Sequence, residues 1–103
     1  MHRIYTINDH LHQLFPKGEN PFQMVTRLAE ECGELAAQVN HFENVGVKRQ
    51  KHGEPNRAKL AKEVQDVLRC ALQIAAYYRL EAELDAAIEV RYQQALSALA
   101  KKE

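Results

Sequence analysis

Apolar residues return at steps of three and four along most of this chain. Nowhere do they alternate with period two over a useful length, so the pattern predicts helices and no strands. Asn20-Pro21 opens the clearest helix, since Asn suits the N-cap and Pro the first helical position. Leu28, Cys32, Leu35, Val39 and Phe42 then form one stripe, and Gly46 is the expected stop. At 1.5 Å per residue such a helix is about 37 Å long. A second long helix is predicted over residues 57–80, capped by Asn56, with Leu60, Val64, Val67, Leu68, Ala71, Leu72, Ala75 and Tyr78 apolar. A short first helix is predicted over residues 7–15. Thr6 and Asp9 offer it a loose capping box, and Pro16-Lys17-Gly18 ends it. Residues 82–99 read as a fourth helix, with Leu84, Ile88, Tyr92 or Val90, Leu96 and Leu99. The boundary before it is the weakest, because Leu80-Glu81-Ala82-Glu83 holds neither Gly nor Pro. Residues 46–56 make a polar, basic loop. The expected fold is all-α, an antiparallel helical bundle of about four helices in one domain, 1–103. The first and last helices look too small to cover both long ones, so association with another copy, as a homo-oligomer (dimer or tetramer), is expected.

Composition narrows the function classes. At 103 residues the chain is one domain's worth of sequence. Fourteen basic and fourteen acidic residues cancel, which argues against a nucleic-acid polymer as partner. Cys32 and Cys70 each fall inside a helical segment without a disulfide framework. They point to reduced thiols, buried and inert by default, in a cytoplasmic protein. No apolar run of about 18 residues exists, so no membrane is expected. Met-His-Arg-Ile-Tyr lacks the apolar stretch of a secretion signal.

The acidic residues break the apolar pattern. On a wheel of about 100° per residue with Leu35 at zero, Glu31 falls near −40°, inside the apolar sector. Glu34 falls near −100°, on its edge, and Glu30 near −140°. In the third helix, Glu63 and Asp66 start a stripe that continues as Cys70, Ile74 and Tyr77. Its opposite face, with Val64, Leu68, Leu72 and Ala75, is apolar too, so this helix is expected to pack on two sides. A carboxylate in a buried sector is costly unless compensated. One acidic i, i+3 pair is usually a solvated face. Two such pairs, each interrupting an apolar stripe, can converge across antiparallel helices into a four-carboxylate cluster. A hard divalent cation with oxygen ligands, Mg²⁺ or Mn²⁺, would relieve its self-repulsion.

These residues resemble a known family. Leu28-Ala29-Glu30-Glu31-Cys32-Gly33-Glu34-Leu35 looks like the EExxE motif of the MazG-like, all-α nucleoside triphosphate pyrophosphohydrolases. Lys62-Glu63-Val64-Gln65-Asp66-Val67-Leu68 resembles their second motif, ExxD, with matching order and separation. Asn20-Pro21-Phe22-Gln23 and Leu84-Asp85-Ala86-Ala87-Ile88 sit where the family has similar text. The resemblance implies cleavage of a nucleoside triphosphate to a monophosphate and pyrophosphate, in nucleotide-pool house-cleaning. It implies Glu31, Glu34, Glu63 and Asp66 as Mg²⁺ ligands, with Glu30 assisting a second metal or orienting the attacking water. Many relatives carry a Trp in the first helix, and this chain has none. Many have a Lys followed closely by an Asn in the last helix, contacting phosphate or base; Arg91 stands at the Lys position as a substrate-binding candidate, and the Asn is not evident, with Gln93 and Gln94 nearby.

Other residues carry weaker signals. Lys48, Arg49 and Lys51, with His52, form a basic loop that can meet the β- and γ-phosphates or simply be solvated. His10 and His12 do not share a helical face, His41 and His52 are isolated, and the absence of ExxH counts against a ferritin-like di-iron centre. Tyr77 and Tyr78 read as core, with base stacking as the alternative. Gly33 in mid-helix either permits a close approach beside the metal or is merely tolerated. The competing function class is a non-catalytic helical interaction module whose carboxylates hold a structural cation or a protein partner.

Overall fold

The computed structural model describes residues 1–15, 20–43 and 56–101. Among these residues there are four helices and no strand: α1 (His2–Leu14), α2 (Pro21–Phe42), α3 (Arg57–Tyr77) and α4 (Glu81–Lys101). None is long and apolar enough to cross a membrane.

The two long helices start where their caps predict. Asn20 accepts hydrogen bonds at its side-chain oxygen from the Phe22 and Gln23 amides, at 2.9 and 3.3 Å. Asn56 does the same for Ala58 and Lys59, at 2.9 and 3.2 Å. Each Asn therefore satisfies two of the amides that a helix start leaves unpaired. The first helix departs from expectation. It begins at His2, so Thr6 is not a cap but an interior residue, and its hydroxyl donates to the His2 carbonyl four residues back. In α2 the last helical residue is Phe42, which makes the 22-residue helix about 33 Å long. The expected stop, Gly46, lies outside the described residues.

The α3–α4 junction shows how a helix can end without Gly. The Arg79 amide bonds the Ala76 carbonyl at 3.1 Å, and the Leu80 amide reaches Ala75 at 2.8 Å. This is the paired hydrogen-bond pattern of a Schellman stop, whose penultimate residue takes left-handed dihedrals. Arg79 occupies that position with φ of 55°, the one positive-φ non-glycine among the described residues.

The core is the seam between α2 and α3. Arg27 of α2 donates to Gln73 of α3, whereas Glu31, one turn later, meets Glu63 and Asp66. Advancing along one helix retreats along the other, so the pair is antiparallel. Met24 and Cys70 are essentially solvent-free in this seam, and Leu72 is buried as well. α1 packs on the second side of α3, where Asn8 donates to the Arg69 carbonyl at 3.0 Å. That side is covered only in part, because Val64 and Leu68 stay exposed.

The buried face of α2 is rotated from the expected stripe. Met24, Leu28, Glu31, Leu35, Gln38 and Phe42 are buried or half-buried, while Cys32 and Val39 are exposed. The shift is about 40° on the wheel, and it moves the middle of the seam toward Glu31. α4 projects from the end of α3 and packs little. Among the described residues it is exposed throughout except at half-buried Leu84, leaving Ile88, Val90, Tyr92, Leu96 and Leu99 uncovered. The radius of gyration, 17.3 Å, exceeds the roughly 13 Å of a compact 100-residue domain for this reason.

Candidate metal centre

Glu31 enters the seam from α2 because it lies between Met24, Leu28 and Leu35 on the buried face. Glu63 and Asp66 enter from α3, one turn apart, ahead of buried Cys70 on the same stripe. Packing the two apolar stripes together therefore carries all three acids inward. One carboxylate oxygen from each lies within 4.8 Å of the others. Glu63 is only 6% exposed and Asp66 9%, while Glu31 is half-buried. The Oε2 atoms of Glu31 and of Glu63 are buried and have no hydrogen-bond partner among the described residues.

Orphaned acceptors of this kind are unfavourable in a low-dielectric seam. Burial pushes the Glu31 carboxyl above its usual range, and the neighbouring charges of Glu34, Asp66 and Glu63 push it further. The Cys70 thiol is raised mainly by burial. One cation already answers the acids. Lys62 Nζ stands 3.0 Å from Asp66 Oδ2 and 4.0 Å from Glu63 Oε1. The hydrogen bond to Asp66 is the first cause that holds this ammonium above the ordinary lysine pKa. Sequence reasoning missed Lys62, although its place four residues before Asp66 is a readable i, i+4 pairing signal.

The donor set suits a hard divalent ion. All three groups are carboxylates, two of their oxygens await a partner, and neither His nor thiolate stands among the clustered donors. The expected fourth ligand, Glu34, is exposed and outside that set, although it is close enough to raise Glu31 by charge and a side-chain hydrogen bond. Glu30 is exposed beside a shallow groove formed with Gln23, Thr26 and Arg27.

The remaining candidates scatter. Arg91 is exposed on α4 and donates to Gln94 at 3.4 Å, and among the described residues no hydrogen bond or ion pair joins it to the acids. Lys48, Arg49, Lys51 and His52 lie outside the described residues. Cys32, expected to be buried, is exposed because the face of α2 is rotated; Cys70 is the buried thiol. Tyr77 and Tyr78, expected in the core, stack edge-to-face at 4.9 Å and are both exposed, since they fall at the end of α3 beyond the seam. A methyl group at Gly33 would meet nothing within 4 Å among the described residues, so none of the four helices approaches closely there. Comparison with known proteins returns no relationship: no family model, no curated sequence and no solved structure matches the chain.

Proposed function

We propose that this chain is a Mg²⁺-dependent nucleoside triphosphate pyrophosphohydrolase of the MazG-like kind, cleaving (d)NTPs to (d)NMPs and pyrophosphate. The observation that supports this reading is the convergence of Glu31, Glu63 and Asp66 from antiparallel helices, with buried oxygens left unpartnered. Glu31, Glu63 and Asp66 would hold the cation, with Glu34 one turn along α2 as a further ligand. A bound divalent ion supplies charge neutralisation of the triphosphate and stabilisation of the negative charge that builds up during cleavage. Glu30, exposed on the adjoining turn, can orient water at the rim. The α2–α3 seam holds the acids in register before any substrate arrives, so little reorganisation remains for the chemical step.

We also propose that the chain acts as a homo-oligomer. The uncovered apolar residues of α4 and the exposed Val64 and Leu68 of α3 support this. Light scattering that returns a monomer mass would end the oligomer proposal. The enzyme reading is tested by pyrophosphate release from a panel of (d)NTPs with Mg²⁺ or Mn²⁺, using Glu34→Ala and Asp66→Ala as probes. Activity of the parent chain with at least a hundredfold loss in Asp66→Ala is expected. No turnover of any triphosphate favours the interaction-module reading, for which the exposed face of α4 is the specific support.

A further inference from the structure

We propose that Lys62 is a tethered counterion of the acidic cluster, one that a divalent cation must displace from Asp66 in order to bind. The lysine then holds the metal-free seam together and sets how tightly the ion is held. The proposal rests on the metal-centre reading above and adds a regulatory residue to it.

Three features of the geometry carry it. First, the ammonium is 3.0 Å from Asp66 Oδ2 and 4.0 Å from Glu63 Oε1, so it engages two of the three carboxylates that a cation would draw on. A small divalent ion demands close oxygen ligands at about 2.0–2.1 Å, and it repels a positive neighbour at that range. Second, the cluster still has unmet need. Among the described residues, Glu63, only 6% exposed, keeps its Oε2 without a hydrogen-bond partner, and so does Glu31. Lys62 is thus an incomplete substitute, because three carboxylates against one ammonium leave an excess of two negative charges. Third, the substitute can leave. Its side chain is 63% exposed, so the freed ammonium passes directly to water. Lys preceding Asp by four residues is also the weaker orientation of a helical ion pair. Asp66, by contrast, is buried in the seam.

The test compares the parent chain with Lys62→Gln, Lys62→Arg and Lys59→Gln. Lys59 lies one turn earlier on α3, is exposed, and makes no ion pair with the cluster among the described residues. Mn²⁺ affinity is measured by calorimetric titration at fixed ionic strength, and thermal melts are recorded in chelator and in saturating Mn²⁺. Lys62→Gln is expected to bind Mn²⁺ about two- to fivefold tighter, the range that loss of one exposed ion pair supports. It should melt lower than the parent chain in chelator and level with it in Mn²⁺. Lys62→Arg and Lys59→Gln should keep the parent affinity. An unchanged or weaker constant in Lys62→Gln overturns the proposal while leaving the metal centre standing. An equal gain in Lys59→Gln also overturns it, since only the general field would then be at work. Absence of Mn²⁺ binding in the parent chain and every variant overturns the metal-centre reading together with this proposal.

Discussion

Replacing Glu31 by glutamine tests whether the three acids strain the metal-free fold. Two unit charges within 4.8 Å of each other repel by at least about 3.5 kcal/mol at an effective dielectric near 20, and by at least about 0.9 kcal/mol at 80. Glu31 faces two such charges. Lys62 offsets part of the repulsion, and half-burial leaves Glu31 near water, so the net relief on Glu31→Gln is about 1–2 kcal/mol in chelator at neutral pH. In a chain of this size each kcal/mol raises the melting temperature by about 4–8 °C. The pH dependence follows from the raised pKa. The folded chain binds the Glu31 proton more tightly than the unfolded chain does. Its contribution is therefore fully present below the ordinary glutamate value and is lost as pH rises through the folded one. The advantage of Glu31→Gln should shrink accordingly on acidification across that window. Saturating Mg²⁺ should reverse the order, because the ion binds the ionised carboxylate and stabilises only the chain that has it. Melts followed by circular dichroism, with chelator and with Mg²⁺, give all three comparisons. A Glu31→Gln chain that is less stable in chelator at neutral pH, with an unchanged pH slope, refutes the argument from mutual repulsion.

Three further outcomes follow from single positions. Thiol titration of the native chain should count one fast-reacting cysteine, Cys32, with Cys70 reacting only on unfolding; two fast thiols would mean that the α2–α3 seam is open. Gly33→Ala should stabilise the chain by about 1 kcal/mol in urea denaturation, since the added methyl meets open space and helix propensity rises. A loss of stability there would mean that another chain packs against this face. Arg79→Gly should be neutral or stabilising by up to about 1 kcal/mol, the left-handed penalty less the extra freedom of glycine in the unfolded chain. A clear loss would place a compensating contact of the guanidinium in the cleft it shares with Asn8, Asp9, His12 and Glu81.

Much of the site was legible before folding, for local reasons. Asn20 and Asn56 mark helix starts because their short side chains reach the second and third amides whatever packs above them. Glu63 and Asp66 share a face because three residues nearly complete a turn. Their place at the head of a stripe running into Cys70 and Ile74 already put them in a seam. The end of α3 was not legible, since its Schellman stop uses Arg79 where glycine is the usual signal. The early start of α1 was equally hidden, because Met1 makes no side-chain cap.

Spacing in the chain determined that there would be helices, where the long ones begin, and that two acidic pairs would interrupt apolar faces. Tertiary packing alone decided how far each helix is turned about its axis. A stripe of apolar residues is broad enough to tolerate a turn of about 40°, and the neighbouring helix selects within that latitude. That rotation draws Glu31 further into the seam, leaves Glu34 at its rim and exposes Cys32. Only the distance between helices brings Glu31, Glu63 and Asp66 within reach of one ion and gives Lys62 its place beside them.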